Sequence, residues 1–170
     1  MLSADLYESL KTIGDATSIV YIGIFLLAFF FEKRMSSATV TLLVLCLTNG
    51  IAILILPNLL EIASRQGIYN KFFWYGSWML LNLVSIILIL KFHVAHKIRA
   101  SKVAITVSFS YVLLTAIQAI DFIDRATLNN GFFAIAYQIS IPTISIGLIP
   151  IICYFWLQDF RKESLLYKAR

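Results

Sequence analysis

Apolar residues predominate in five long segments of the chain, which we call apolar runs. The runs cover residues 16–31, 38–63, 72–92, 103–120 and 132–157. A helix rises about 1.5 Å per residue, so about 20 apolar residues cross the hydrocarbon core of a bilayer, which is about 30 Å thick. Strands of a membrane barrel would instead alternate apolar and polar residues over about ten positions. The pattern therefore predicts an all-α, polytopic membrane helical bundle with five transmembrane helices.

Two more polar segments flank these runs. In residues 1–15, leucine recurs at every fourth position from Leu2 to Leu10, opposite Asp5 and Glu8. This spacing predicts an outer amphipathic helix lying on the membrane surface, although an extension of the first span fits the same pattern. Residues 158–170 form a basic tail. Because the connections are too short to fold alone, residues 1–170 are predicted to form a single integral membrane domain.

Lysine and arginine are unevenly divided between the two sides that these spans define. Of the 14, ten follow the first, third or fifth span, and four lie before the first span or after the second and fourth. Short cytoplasmic loops carry the excess of Lys and Arg. We therefore predict the N-terminus outside and the C-terminus in the cytoplasm. Topology accounts for the net charge of +5, so we expect no nucleic-acid partner.

The overall composition agrees with a membrane environment. Apolar residues make up 60% of the chain and charged residues 14%, whereas a soluble domain has about 45–50% and about 25%. A water-soluble domain and a disordered chain are both excluded by this balance. We expect a multi-pass protein of a plasma membrane, with the bacterial inner membrane as the expected case, and the lipid bilayer as its first partner.

Few residue patterns point to catalysis or metal binding. The central thirds of the spans contain no Asp, Glu, Lys or Arg, and no P-loop, GxSxG, HExxH or dinucleotide fingerprint is present. His93 and His96 have no carboxylate or cysteine near them in sequence, which predicts a solvated pair. Cys46 and Cys153 lie far apart in apolar runs, which predicts small buried hydrophobes. We therefore expect no catalytic residue, no metal and no cofactor.

Polar positions within the spans form the main candidate site, because such side chains are costly in hydrocarbon. The candidate ligand-binding or pathway-lining residues are Asn49, Asn82, Ser85, Gln118, Gln138 and Thr143. The alternative is that these side chains hold the helices together, at about 0.6 kcal/mol for each hydrogen bond. Gly50 and Pro142 also predict breaks in the second and fifth spans, and broken helices expose backbone groups to substrates in transporters.

Charged pairs lie at the predicted outer rim. Glu61 and Arg65 end the second span, and Asp121 and Arg125 end the fourth; in each pair the acid comes first and the arginine follows four positions later. This order favours an ion pair within a helix. The pairs are expected to be solvated caps or an outer-rim interaction surface for another protein.

Two classes of function fit these patterns. The absence of deep charges and catalytic motifs favours a non-enzymatic regulatory, immunity-type or complex subunit that binds another membrane protein through its bundle surface or outer rim. The polar stripes and broken spans favour a channel or transporter for an ion or small solute. Such a protein would work as a homo-oligomer, because five helices leave little room for a pore.

Overall fold

The structure is a computed structural model that describes residues 4–32, 35–65, 67–127 and 132–168. Its elements are α1 (Ala4–Glu32), α2 (Ser37–Ser64), α3 (Ile68–Ala95), α4 (Lys102–Thr127) and α5 (Phe132–Lys168). Each of the 5 helices is long and apolar enough to cross a membrane. The prediction of an all-helical chain with five candidate membrane spans is confirmed, and the chain is described below as a multi-pass membrane protein.

Local sequence signals set several helix ends. The Ser36 hydroxyl accepts a hydrogen bond from the Thr39 backbone N–H at 3.1 Å, which caps the start of α2. Gly67 has a φ of 134°, a backbone conformation that residues with a Cβ rarely adopt. The glycine therefore permits the short turn from α2 to α3. At the start of α4, the Ser101 hydroxyl accepts from the Ala104 backbone N–H at 3.2 Å.

The helices extend beyond the apolar runs. Because α1 begins at Ala4, residues 4–15 continue the first span as one helix. Because α5 reaches Lys168, the described part of the basic tail is also helical. Polar residues can continue a helix beyond the hydrocarbon, so apolar length alone predicts the spans but underestimates the helices.

The predicted breaks in the second and fifth spans are absent. α2 passes through Gly50 and Pro57, and α5 passes through Pro142 and Pro150, without interruption. A proline removes one backbone donor, and membrane helices tolerate this loss when neighbouring groups satisfy the freed carbonyl. The prediction that these positions expose backbone to a substrate is therefore wrong for the state described.

The helices pack as a closed ring. Each helix contacts the next in chain order, α5 contacts α1, and α2 contacts α4 across the ring. Because helices that follow one another in the chain run antiparallel, one end of the bundle holds Glu32, Ser37 and Ala95, and we name it the Glu32 end. The opposite end holds Ser64 and Asp121, and we name it the Asp121 end. The predicted orientation would place the Glu32 end in the cytoplasm.

Apolar packing is concentrated in the half of the bundle near the Glu32 end. Tyr21, Leu42, Val107 and Ile152 are almost completely buried there. All the buried residues of α2 lie between Ser37 and Thr48 except Leu59. Large apolar side chains such as Phe30, Leu54, Ile105 and Ile139 are exposed, as expected for helices surrounded by lipid.

Candidate functional site

A layer of hydrogen-bonded polar side chains lies mainly between α3 and α4. The Asn82 side-chain amide donates to Gln118 Oε1 at 3.2 Å. Ser85 follows Asn82 by less than one turn of α3, and its hydroxyl lies 2.6 Å from the Thr48 hydroxyl of α2. We call Thr48, Asn82, Ser85 and Gln118 the polar layer, and all four are buried. The structure therefore brings together three residues of the sequence-predicted site, and Thr48 joins them.

Beyond the polar layer, toward the Asp121 end, α4 carries a buried carboxylate. The Tyr75 hydroxyl of α3 donates to Asp121 Oδ2, and Arg125 Nε donates to the same oxygen at 3.1 Å. Asp121 is only 1% exposed, so the expectation of a solvated cap is wrong for this residue. Within the described residues, Asp121 Oδ1 has no hydrogen-bond partner.

Asp124 is a second buried acid beside Asp121. It is 3% exposed, and neither of its carboxylate oxygens has a partner among the described residues. A helix turns about 100° per residue, so Phe122 and Asp124 lie on opposite sides of Asp121. Phe122 contacts Phe72 of α3, so Asp124 lies on the side of Asp121 away from this contact.

Aromatic side chains of α3 and α5 lie beside Asp121. The rings of Tyr75 and Tyr137, from α3 and α5, have centroids 5.7 Å apart. The Tyr137 hydroxyl forms a hydrogen bond with the Trp74 side chain, and it lies close enough to Asp121 and Arg125 to interact with their charges. Trp78 packs edge-on against Trp74, with centroids 5.7 Å apart. We define the acid–aromatic cluster as the following six residues: Trp74, Tyr75, Asp121, Asp124, Arg125 and Tyr137.

The other sequence-predicted site residues lie outside this constellation. Asn49 donates to the Leu45 carbonyl of its own helix at 2.8 Å. Thr143 is exposed and donates to the Ile139 carbonyl, again within its own helix. Gln138 is half-buried on α5. Glu61 and Arg65 form an exposed ion pair of 2.8 Å at the end of α2.

His93 anchors a second polar network at the Glu32 end. Its Nδ1 lies 2.7 Å from the Ile89 carbonyl, so Nδ1 carries the proton and donates. Nε2 is then the acceptor for the Ser37 hydroxyl at 2.7 Å, and the Ser101 backbone N–H donates to the Ser37 oxygen at 2.8 Å. The predicted solvated pair is wrong for His93, which α2 and α4 bury, whereas His96 is exposed.

At the same end of the bundle, Glu32 of α1 connects this helix to α2 and α5. Its two carboxylate oxygens accept hydrogen bonds from Thr39 Oγ1 at 2.8 Å and from Trp156 Nε1 at 2.9 Å. Lys102 of α4 donates to Gln158 of α5 at 2.9 Å. Polar contacts therefore tie all five helices together at this end. In the sequence, Glu32 marks only the end of the first span, because Lys33 and Arg34 follow it directly.

Replacing Glu32 should test this connection. Glu32→Gln keeps the shape but converts one acceptor oxygen into an NH2 group, so one donor loses its partner. We expect the free energy of unfolding to fall by about 1.5–3 kcal/mol, the usual contribution of a hydrogen bond to a charged group. Reversible unfolding in detergent, followed by circular dichroism, measures this loss.

Glu61→Gln is the matched control, because it makes the same chemical change at a carboxylate that is exposed. Exposed ion pairs contribute about 0–1 kcal/mol, so this variant should unfold almost as the natural protein does. Equal losses in the two variants would show that the Glu32 contacts add nothing to stability.

Comparisons of the chain with models of protein families, with curated proteins and with solved structures give no match. The proposals below therefore rest on the residues and their geometry.

Proposed function

We propose that this protein is a transporter that binds a small polar solute or ion at the acid–aromatic cluster and polar layer and passes it across the membrane as a homo-oligomer. The observation that carries the proposal is the pair of buried acids in α4, of which Asp121 Oδ1 and both oxygens of Asp124 have no hydrogen-bond partner among the described residues. Ionisable residues within membrane helices are costly and usually serve substrate or ion pathways.

Helix packing alone accounts for part of the constellation. The Asn82–Gln118 bond satisfies both side chains and is the kind of contact that holds membrane helices together. Asp124 differs, because a buried carboxylate without a partner destabilises the folded state. A ligand that compensates this carboxylate gives a reason for its position, and helix packing does not.

The polar groups are arranged along the bundle axis. Asn82 lies seven positions after Tyr75, which corresponds to about 10 Å along the helix. The Ser85 hydroxyl follows less than one turn further on and lies against Thr48. Hydrogen-bonding groups are therefore available at successive depths from the Asp121 end toward the middle of the bundle.

Packing in the other half favours a transporter over an open channel. Near the Glu32 end, Tyr21, Leu42, Val107 and Ile152 fill the interior with apolar side chains. A solute that reached the polar layer would meet this packed core, so passage requires a rearrangement of the helices. The expected cycle closes one half of the bundle while the other half opens.

Flux measurements test the proposal. The protein would be reconstituted in liposomes, and currents would be recorded after concentration jumps of alkali and alkylammonium chlorides. Gln118→Leu and Asn82→Leu each leave the partner amide unpaired and remove a polar group from the layer. We expect each variant to lower the flux at least about tenfold, which corresponds to about 1.4 kcal/mol in the barrier.

Asn49→Leu is the matched control, because its amide bonds only to its own helix. This variant should retain the flux of the natural protein. Unchanged flux in both layer variants would remove the polar layer from the mechanism, and absence of flux in the natural protein would reject transport.

A non-enzymatic regulatory or complex subunit is the second candidate, and loose packing near the Asp121 end favours it. Between Asn49 and Ser64 only Leu59 of α2 is buried. Among the described side chains of α5, none before Leu148 is buried. Another membrane protein could cover these surfaces in place of lipid. Purification from native membranes in mild detergent should then yield a stoichiometric partner, whereas a monodisperse protein active alone in liposomes would reject this function.

A further inference from the structure

We infer that the acid–aromatic cluster binds a monovalent organic ammonium cation. The inference rests on the proposed function, since the cluster lies at the Asp121 end of the polar layer, and it names the class of solute that would be bound there. Three features carry it: the charge balance, the unpartnered carboxylate oxygens and the aromatic surroundings.

The charges of the cluster leave one negative charge uncompensated. Arg125 is the single cation of the cluster, and its Nε donates to Asp121. Asp124 has no such partner among the described residues. Lys71 precedes Tyr75 by one turn on α3, and no ion pair joins it to the cluster among the described residues. Arg65 is paired with Glu61 at the end of α2. A ligand with one positive charge therefore balances the cluster.

The unpartnered atoms of the six residues in the acid–aromatic cluster are hydrogen-bond acceptors that require donors or a cation. They are Asp121 Oδ1 and both oxygens of Asp124, on side chains that are 1% and 3% exposed. A carboxylate withdrawn from water is stable only when a partner replaces the lost hydration. An ammonium group provides N–H donors or a diffuse positive charge for these acceptors.

The chemistry of the surroundings favours an organic cation over a metal ion. No group of three or more His, Cys, Asp or Glu in the described residues could hold a metal ion, and hard cations such as Ca2+ take about six to eight oxygen ligands. Trp74, Tyr75 and Tyr137 supply aromatic rings instead. Such rings attract ammonium groups through cation–π contacts and recognise quaternary ammonium compounds in this way.

Tetramethylammonium is a suitable probe of this site. Two of the 3 tryptophans, Trp74 and Trp78, lie in or against the cluster, so intrinsic fluorescence reports on its occupancy. Purified protein in lipid nanodiscs would be titrated with tetramethylammonium chloride, with sodium chloride at equal ionic strength as the reference. We expect a saturable change with tetramethylammonium and none with sodium.

Asp124→Asn removes the charge but keeps the size of the side chain, and it should weaken tetramethylammonium binding at least about tenfold. Glu61→Gln removes an exposed acid and should leave binding unchanged. Should Asp124→Asn fail to fold, carbodiimide modification of Asp124 in the natural protein gives a second readout by mass spectrometry. Tetramethylammonium should slow that modification, and sodium should not.

The outcomes separate this inference from the proposed function. One outcome is that tetramethylammonium gives the natural protein neither a saturable fluorescence change nor protection from carbodiimide. If flux were still sensitive to Gln118→Leu, that result would overturn binding of the organic cation and leave transport standing. An equal response to sodium would also overturn it. Saturable, Asp124-dependent binding without flux would support the cation site and reject transport.

Discussion

Asp121→Leu should be among the most destabilising substitutions near the Asp121 end, lowering the free energy of unfolding by about 3 kcal/mol. The carboxylate accepts from both Tyr75 and Arg125, so its removal leaves a buried hydroxyl and a guanidinium without partners. Loss of one partner from a buried ion pair costs about 3–5 kcal/mol. We expect the lower value because the Arg125 side chain is 30% exposed and can reach water. Reversible unfolding in mixed detergent micelles measures the change.

Tyr75→Phe provides a matched comparison for the same site. It removes only the hydroxyl that donates to Asp121 and should cost about 1 kcal/mol. In the double variant the two effects should not add, because the hydroxyl has already lost its acceptor. Additive effects, or an Asp121→Leu variant as stable as the natural protein, would contradict the hydrogen-bonded arrangement of Tyr75, Asp121 and Arg125.

His93→Leu should produce the second large loss, about 2–3 kcal/mol, at the Glu32 end. The substitution removes the acceptor for the Ser37 hydroxyl and the donor to the Ile89 carbonyl. The Ser37 hydroxyl would then lose its buried acceptor and the Ile89 carbonyl would lose its second donor, and the contact that positions the start of α4 through Ser101 would weaken. The unfolding assay used for Asp121 measures this loss directly.

His96→Leu is the control for His93, because it lies at the same end but is exposed and stacks on Phe92. Surface substitutions of this kind usually change stability by less than about 0.5 kcal/mol. Similar losses for the two histidines would show that the Ser37–His93–Ser101 contacts do not support the bundle.

The sequence alone predicts the spans well because the hydrocarbon core imposes a length and a composition on every crossing segment. It also identifies Asn82, Ser85 and Gln118 as polar positions facing the interior, since the spacing of a helix determines which residues share a face. Spacing does not specify which helix lies opposite a face. The Asn82–Gln118 bond and the contribution of Thr48 therefore require the packed structure.

Burial near the ends of spans is harder to infer from sequence. Asp121 and Asp124 follow the apolar part of α4, where a charged residue usually reaches water or headgroups. In the folded chain, rings from α3 and α5, including Tyr75 and Tyr137, lie over that part of α4. His93 is comparable, because the starts of α2 and α4 enclose it. Both sites depend on contacts between residues far apart in sequence, which local hydropathy does not record.

The central claim is that the chain crosses a membrane five times, so that the Glu32 end and the Asp121 end lie on opposite sides. Single cysteines at two exposed positions, Ser64→Cys and Ala100→Cys, test it directly in a background in which Cys46 and Cys153 are replaced by alanine. Intact bacterial cells would be treated with a membrane-impermeant maleimide. The predicted orientation requires labelling at position 64 in intact cells and at position 100 only after permeabilisation; labelling of both positions in intact cells would contradict a crossing by α3.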